Sequence, residues 1–237
     1  MPWTLVTGAA RGLGAATALH LAQKGRSVVI HFNTRQREAE LVAECCRAFG
    51  VDAQTIQGDF STSSSTEEFV EKYLKAFSDT QNVVYNVGNY AVKSALETST
   101  EEWNVLFQTN LHAALQVCKG LLPSIISEKG SIVMIGSAGL TRQVADTYSP
   151  AYTITKMGLH ALMKSLAKEL AQHHVRVNMV SPGHLENSVD IPADFSKLPF
   201  GRPGTLEEVA RVVDFFLDPS NGYITGQNVE VAGAVRL

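Results

Sequence analysis

Tyr152 and Lys156 are the two residues in this sequence whose chemistry is most distinctive. They stand four positions apart in a stretch whose apolar periodicity predicts a helix over about 151–173. Because positions i and i+4 share one face of a helix, a phenol and an ammonium group would be presented together. A nearby cation lowers the phenol pKa from about 10, so the pair could act as a general acid/base. The same spacing also occurs in helices where the tyrosine packs in the core and the lysine is solvated. Motifs elsewhere in the chain are needed to choose between these two interpretations.

The elements that would position this pair begin at a glycine-rich turn. In order, these elements are a β-rich run over Trp3–Thr7, the glycines Gly8, Gly12 and Gly14, a helical pattern over 15–23 and a strand over 27–32. The glycines permit a tight turn, close approach to a phosphate and close packing of helix on strand. The free N–H groups of the helix N-terminus also suit a phosphate. This order predicts a dinucleotide-binding unit rather than a plain glycine turn.

Strands and helices go on alternating along the chain. Further strands are predicted over 52–56, 82–86, 130–136, 175–180 and 228–231, and further helices over 35–49, 101–122 and 205–217. The Ser/Thr-rich stretch 61–66 should cap a helix that runs to Phe77 with Thr66 at its start, and Pro123 should end the helix before it. No composition break divides residues 1–237. The sequence predicts one α/β domain, a Rossmann fold with a doubly wound parallel sheet of about seven strands and helices on both faces.

The residues after the second strand bear on which dinucleotide is bound. An NAD site usually presents a carboxylate to the ribose 2′-hydroxyl at this place, but His31–Arg35 contains none. Arg35, together with Arg11 in the glycine turn, could clamp a 2′-phosphate, which favours NADP(H) over NAD(H). The alternative is that Arg35 is a solvated residue at a helix start. Asp59, after the third strand, could accept from an adenine amino group or could be an ordinary turn residue.

Composition excludes several other classes of protein. The chain has 237 residues, is 45% hydrophobic and carries a formal net charge of −3, which gives no reason to expect nucleic acid or an anionic membrane as a partner. No apolar run is long enough to cross a bilayer, and no signal peptide is recognisable. Three cysteines without ligand spacing predict neither a disulfide framework nor a metal site. We therefore expect a cytoplasmic protein.

An ordered set of motifs resembles the short-chain dehydrogenase/reductase family. The set comprises Thr7-Gly8-x3-Gly12-x-Gly14, Asp59, Asn86-x-Gly88, Asn110, Ser137, Tyr152-x3-Lys156, Pro182-Gly183 and Thr225-Gly226-Gln227. It spans nearly the whole chain, and its motifs are independent of one another. Within the family, the glycine turn with Arg11 and the compact length look most like bacterial 3-oxoacyl-[acyl-carrier-protein] reductases.

The resemblance implies a catalytic set of four residues. Tyr152 would protonate the carbonyl oxygen of the substrate, and Lys156 would lower the pKa of Tyr152 and bind the nicotinamide ribose. Ser137 would hydrogen-bond the same carbonyl. Asn110 would hold a water that links Lys156 to solvent for proton supply. The hydride would come from the nicotinamide of NADP(H).

The resemblance also implies a cofactor-binding set and an assembly. The cofactor set comprises Thr7, Gly8, Arg11, Gly12, Leu13, Gly14, Asn33, Arg35, Asp59, Phe60, Asn86, Gly88, Tyr152, Lys156, Pro182, Gly183 and Leu185. The residues after Gly183 would form a short lid over the substrate. Family members commonly form homotetramers, in which the helices over 101–122 and 151–173 pair across one interface and the last helix and strand pair across another.

The sequence departs from the family pattern in ways that leave the substrate open. The 15-residue step from Ser137 to Tyr152 is longer than usual, which should reshape the substrate mouth within 139–150. Asn86-Val87-Gly88 replaces a more familiar motif, and Asn187 stands where a threonine is common. Besides a 3-oxoacyl thioester reductase, a pteridine reductase or a sugar or polyol dehydrogenase fits this frame. A non-catalytic NADP(H)-binding sensor or partner subunit is the alternative from another class.

Overall fold

The computed structural model describes residues 2–142, 145–189 and 191–235. Its strands are β1 (Trp3–Val6), β2 (Ser27–Phe32), β3 (Ala53–Gln57), β4 (Thr80–Tyr85), β5 (Ser131–Ile135), β6 (Arg176–Pro182) and β7 (Asn228–Val231). Its α-helices are α1 (Gly12–Gln23), α2 (Gln36–Arg47), α3 (Ser63–Ala76), α4 (Thr100–Phe107), α5 (Ala113–Ser127), α6 (Pro150–Leu170) and α7 (Leu206–Leu217). A π-helical turn, Gln108–His112, joins α4 to α5.

All seven strands form one parallel sheet in the order β3-β2-β1-β4-β5-β6-β7. The chain runs outward from β1 to β3 and then crosses back to lay β4 against the other side of β1. In a sheet of this kind, ligands bind beyond the carboxyl ends of the strands, at the point where the direction of winding reverses. The predicted Rossmann fold, with its doubly wound sheet of about seven strands, is therefore confirmed.

The hydrophobic core consists of two layers, one on each face of the sheet. Side chains alternate along each strand, so that Val83 and Tyr85 of β4 join one layer while Val84 joins the other. Helices α3, α5 and α6 cover the first layer, and α1, α2 and α7 cover the second. This alternation is the period-2 pattern of strands that are buried on both sides.

The start of α3 and the end of α5 differ from the prediction. Thr62, rather than Thr66, caps α3. Its hydroxyl accepts from the Ser65 N–H at 3.1 Å, and the Ser65 hydroxyl accepts from the Thr62 N–H. Pro123 does not end α5, which continues to Ser127. Pro123 is exposed, while its neighbours Leu121 and Ile125 are fully buried. The packing of these neighbours outweighs the loss of one hydrogen bond on the solvent side of the helix.

The C-terminal helix begins as predicted. The Thr205 hydroxyl caps α7 by accepting from the Glu208 N–H, and the Glu208 carboxylate accepts in return from the Thr205 N–H. Glu207 and Glu208 lie in the first turn, where carboxylates stabilise the positive end of a helix. Within the described ranges, no helix is long and apolar enough to cross a membrane.

Candidate active site

The glycine turn between β1 and α1 has a backbone that only glycine adopts without strain. Gly8 and Gly12 have φ values of +63° and +57°. A Cβ on Gly14 would collide with the Gly8 carbonyl, and a Cβ on Gly12 would lie 2.9 Å from Nδ2 of Asn187. Gly14 therefore permits close packing of α1 on the turn, and Gly8 and Gly12 give the turn its positive φ values.

Thr7 and Asn86 fix this turn to the end of β4. The Thr7 hydroxyl accepts from the N–H groups of Asn86 at 2.9 Å and Val87 at 3.2 Å. The Asn86 amide donates to the carbonyls of Thr7 at 3.0 Å and Gly8 at 3.3 Å. Thr7 is fully buried, so its hydroxyl is part of this clamp and not of a ligand surface.

A cleft of about 420 Å³ opens at the carboxyl ends of β1, β2, β3 and β4. The predicted residues that line it are Gly8, Arg11, Asn33, Arg35, Asp59, Phe60, Asn86 and Gly88. The cleft thus brings together the glycine turn and the side chains expected to recognise the adenine end of a dinucleotide. Its position at the reversal point of the sheet matches that of a nucleotide site.

The Asp59 and Arg35 side chains of this cleft have partners within the protein. The Asp59 carboxylate accepts from the Ser61 N–H at 3.0 Å, from the Ser61 hydroxyl at 2.7 Å and from Asn33 Nδ2 at 3.3 Å. The Arg35 guanidinium pairs with Glu38 at 3.0 Å, and this contact contributes to the lowered pKa of Glu38, after a backbone hydrogen bond. Both partners of this pair are about half exposed, so an incoming phosphate could replace Glu38.

His31, for which the sequence predicted no role, lies at the base of the same cleft. Its Nδ1 accepts from the Gly8 N–H at 3.0 Å, and its Nε2 lies 3.2 Å from the Gly58 carbonyl. The ring is buried and stacks on Phe60 with 4.4 Å between centroids. Burial lowers the pKa of His31 to about 4, so the ring is neutral near pH 7.

Lys156 and Tyr152 lie on the face of α6 that is turned toward β5 and the segment after β4. The Lys156 ammonium is 2% exposed and donates to the Ile135 carbonyl at 2.7 Å. It lies 5.7 Å from the centre of the Tyr152 ring. Burial lowers the pKa of Lys156 to about 8. The predicted pairing of phenol and ammonium on one helical face is therefore present.

Asn110 lies in the π-helical turn, fully buried. Its Oδ1 accepts from the Asn89 N–H at 2.7 Å, and its Nδ2 donates to the Asn89 carbonyl and the Thr155 hydroxyl, each at 3.0 Å. A Cβ on Gly88 would lie 3.2 Å from Lys156 Nζ and 3.6 Å from Asn110 Oδ1. Gly88 therefore leaves open the space that Lys156 and Asn110 both border.

Ser137 and Tyr152 line a second, larger cavity of about 750 Å³. Pro182, Gly183 and Leu185 line it too, so the structure gathers the predicted nicotinamide-side residues around one opening. Tyr90, for which the sequence predicted no role, packs edge-on against Tyr152 at 4.7 Å. Tyr148 is 53% exposed on the cavity wall.

Hydrogen bonds of Gly139 and Asp146 hold the long connection between Ser137 and Tyr152 in place. The Gly139 N–H donates to the Glu230 carboxylate of β7 at 2.9 Å. Asp146 accepts from the N–H groups of Tyr148 and Ser149 and from the Thr153 hydroxyl. Burial opposes ionisation of Asp146, but these hydrogen bonds outweigh it and lower the pKa. Gly139, Leu140, Arg142 and residues 145–149 of this connection line the cavity, and Gln143 and Val144 lie outside the described residues.

Three apolar residues of the expected cofactor set contribute to the core. Phe60 and Leu185 are buried at 3% and 6% exposure, and Leu13 packs against the core layer of α1, α2 and α7. Phe60 also lines the cleft, and Leu185 lines the larger cavity. Asn187 lies outside the expected cofactor set, but its amide nitrogen reaches the glycine turn from the segment after β6.

The fold and this constellation define the class of the protein, and comparison with known proteins agrees. A family model described as Enoyl-(Acyl carrier protein) reductase matches residues 8–235. The chain belongs to the short-chain dehydrogenase/reductase family. It is therefore an oxidoreductase by family.

Individual relatives cover nearly the whole chain. The 3-oxoacyl-[acyl-carrier-protein] reductase FabG of Aggregatibacter actinomycetemcomitans is 33% identical over 98% of both chains. The enzyme of that name from Aquifex aeolicus is also 33% identical, over 98% of this chain and 96% of its own. Acetoin dehydrogenase YohF from Salmonella typhimurium is 28% identical, with a TM-score of 0.90 over 98% of this chain and 96% of its own.

Proposed function

We propose that this chain is an NADP(H)-dependent carbonyl reductase in which Tyr152 is the general acid. The observation that carries the proposal is the buried Lys156 ammonium, 5.7 Å from the Tyr152 ring, beneath the cavity that Ser137 lines. Burying a cation is unfavourable unless it interacts with groups that need it. The phenol of Tyr152 is such a group, because a neighbouring ammonium favours its ionised form.

Each of the three polar side chains has a distinct task in this mechanism. The hydroxyl of Ser137 donates to the carbonyl oxygen of the substrate and stabilises the negative charge that develops there. The phenol of Tyr152 transfers its proton to the same oxygen, and Lys156 stabilises the phenolate that remains. When bound, a reduced nicotinamide supplies the hydride.

The proton lost from Tyr152 must be replaced before another turnover. Lys156 and Asn110 border one small space beside Gly88, which reaches toward the cofactor cleft. We propose that a water in this space passes protons from solvent to Lys156, with Asn110 holding it. The π-helical turn supports this role, because such turns occur frequently at functional sites.

The cofactor we propose is NADP(H), bound across the cleft and the inner end of the cavity. The glycine turn suits a diphosphate, because it leads directly into the N-terminus of α1, whose free N–H groups and partial positive charge favour an anion. Arg11 and Arg35 line the end of the cleft where a 2′-phosphate would lie, and His31–Arg35 offers no carboxylate to a free 2′-hydroxyl. A Burkholderia cenocepacia short chain dehydrogenase that is 27% identical, with a TM-score of 0.89 over 97% of this chain and 96% of its own, was solved in complex with NADP.

The substrate we propose is a 3-oxoacyl group carried on acyl carrier protein. Relatives of that name cover almost the whole chain at about a third identity. The cavity is open, and exposed Tyr148 and Val189 line its wall, which suits an acyl chain that enters on a carrier. Pteridines, sugars and polyols are the competing substrate classes.

A comparison of two tyrosine variants tests the mechanism. Tyr152→Phe should abolish oxidation of NADPH by every accepted substrate, while the Kd for NADPH stays within about threefold, because only the proton donor is lost. Tyr148→Phe, on the wall of the same cavity, should keep turnover. Undiminished turnover in Tyr152→Phe would refute the mechanism.

A substrate panel tests the rest of the proposal. It should contain 3-oxoacyl thioesters, a 2-enoyl thioester, a small diketone, a dihydropteridine and sugars, ranked by kcat/KM. The highest value should fall on a 3-oxoacyl thioester. A higher value for another class would replace the substrate assignment, and no turnover with any of them, despite tight NADPH binding, would favour a non-catalytic sensor or partner subunit.

We also propose that the protein assembles as a homotetramer, with α7 and β7 forming one of its interfaces. Val209, Val213 and Phe216 of α7 are buried within the chain itself, whereas Phe215 is 46% exposed. Val229 of β7 is exposed as well, so this edge of the sheet retains apolar surface for a second copy. Light scattering should give a mass about four times that of the 25.6 kDa chain.

A further inference from the structure

His31 joins the two loops that meet at the base of the cofactor cleft. It lies near the end of β2, the strand between β1 and β3. Its side chain contacts the Gly8 N–H on one side and the Gly58 carbonyl on the other, at 3.0 and 3.2 Å. Its backbone carbonyl accepts from the Ala9 N–H at 2.8 Å. One residue thus holds two successive amides of the glycine turn and the end of β3.

These contacts fix the tautomer of the ring. Because Nδ1 accepts from a backbone N–H, the ring proton of a neutral imidazole must be on Nε2, where it donates to the Gly58 carbonyl. Phe60 stacks on the ring, and Phe69 of α3 meets it edge-on at 5.0 Å. Burial lowers the pKa of the ring, and the nearby Lys72 of α3 lowers it further. Together they outweigh the Gly58 carbonyl and the Asp59 carboxylate, which both favour protonation.

This arrangement also determines which amides can meet a phosphate. The N–H of Gly8 is taken by the His31 ring and that of Ala9 by the His31 carbonyl. An anion at the turn must therefore bind the N–H groups that follow, at the N-terminus of α1. Their position depends on Gly8, which His31 holds at a fixed distance from Gly58 and its neighbour Asp59.

We propose that His31 is a positioning residue for the dinucleotide, which sets the distance between the phosphate-binding turn at Gly8 and the adenine-side loop at Gly58–Asp59. This inference rests on the proposed function for the identity of the cofactor. It adds a residue whose own side chain need not touch the ligand. Its effect must therefore appear in cofactor affinity and not in the chemical step.

Two replacements separate the ring contacts. His31→Phe keeps the stacking on Phe60 but leaves the Gly8 N–H and the Gly58 carbonyl without their partner. His31→Asn has an oxygen close to the place of Nδ1, which can accept from Gly8, but it does not reach Gly58. The matched control is Tyr73→Phe, which removes a buried 2.9 Å hydrogen bond to Thr80 in the core layer beneath α3, away from the cleft.

The experiment measures the Kd for NADPH by fluorescence titration without substrate, together with kcat at saturating NADPH and the Tm. The Kd should rise about tenfold or more in His31→Phe and less in His31→Asn, with kcat within about twofold of the wild type, as expected for loss of a hydrogen bond that orders the site. Tyr73→Phe should lower the Tm and leave the Kd unchanged.

The possible outcomes are distinct. If His31→Phe binds NADPH as tightly as the wild type, or if Tyr73→Phe weakens binding equally, His31 has only a general structural role and the inference is overturned. If His31→Phe does not fold, a Kd in His31→Asn equal to that of the wild type overturns it as well. If the wild type binds neither NADPH nor NADH, the proposed function falls and the inference falls with it.

Discussion

The side chain of Asn110 is bound to the backbone of Asn89 at both of its polar atoms, through the N–H at 2.7 Å and the carbonyl at 3.0 Å. Asn89 precedes Tyr90, whose ring packs edge-on against Tyr152. Asn110 also donates to the Thr155 hydroxyl, which in turn donates to the Tyr152 carbonyl at 2.7 Å. Asn110 therefore positions Tyr152 by two separate routes.

We expect Asn110→Ala to slow turnover and loosen this segment. The change leaves the Asn89 N–H and carbonyl without their partner, which should lower the free energy of unfolding by about 1–3 kcal/mol. Hydrogen exchange at the Asn89 amide should speed up, and kcat should fall more than the Kd for NADPH rises. Gln108→Ala, in the same π-helical turn, removes a 3.2 Å contact with Gln116 and should leave kcat nearly unchanged. An equal fall in kcat in the two variants would show that turnover depends on the π-helical turn as a whole and not on the Asn110 side chain.

Lys156 should make the protein less stable than it would be without the charge. The pKa of Lys156 is about 8 in the folded chain and 10.5 in the unfolded chain. Below pH 8 the folded state therefore contains a buried cation, which lowers the free energy of unfolding by up to ~3 kcal/mol, at 1.36 kcal/mol per pKa unit. At pH 7, Lys156→Met should therefore have a free energy of unfolding about 1–3 kcal/mol higher than the wild type, measured by denaturant unfolding. Turnover should be lost.

The sign of this effect can be checked by titration. As the pH rises from 8 to 10.5, the folded protein is already neutral at Lys156 while the unfolded chain still loses its proton, so the disadvantage disappears. The stability difference between wild type and Lys156→Met should shrink over that range. A difference that stays constant up to pH 10.5 would mean that Lys156 is not desolvated as the structure indicates.

Arg35 and Arg37 offer a matched test of cofactor preference. Arg35 lines the cleft, and Arg37 is exposed on α2 outside it. If Arg35 binds the 2′-phosphate, Arg35→Ser should raise the KM for NADPH by roughly tenfold or more, as for loss of a charge-assisted contact, and leave the KM for NADH unchanged. Arg37→Ser should change neither value. A clear preference of the wild type for NADH would refute the choice of NADP(H).

Acid pH should destabilise the protein through His31. The pKa of His31 is lowered from 6.5 to about 4, so the unfolded chain takes up a proton between pH 6.5 and 4 while the folded chain does not. The stability that this neutral ring contributes is complete above pH 6.5 and is lost as the pH falls toward 4. Between pH 7.5 and 5 the wild type should lose about 2 kcal/mol more than His31→Phe in denaturant unfolding. Equal slopes in the two proteins would show that His31 does not carry this pH dependence.

Much of the fold could be read from the sequence because it depends on local pattern. The valine-rich runs at 27–32 and 228–231 predicted β2 and β7 at their observed bounds. The predicted start of the last helix at residue 205 agrees with the observed cap of α7 at Thr205. The α3 cap at Thr62 was misplaced because several hydroxyl residues precede that helix, and each of them has the chemistry of a cap.

The parts of the site that were missed depend on distant contacts. Asn89 and Tyr90 follow directly after Gly88, but nothing in their type shows that they face Asn110 and Tyr152. The π-helical turn at Gln108–His112 likewise has no local signal, since tertiary packing adds its extra residue. Glu230 meets Gly139 across 91 positions of the chain, a contact that the sequence alone does not reveal.

The position of β1 between β2 and β4 has a consequence for how the site forms during synthesis. The glycine turn is among the first segments to be translated, yet its clamp joins Thr7 to Asn86, which follows 79 residues later. Until β4 has been made, β1 has only one neighbour in the sheet, and the turn lacks the partner that shapes it. Contacts of such long range form slowly. The nascent chain should thus acquire affinity for its dinucleotide only after β4 and the residues that follow it have left the ribosome.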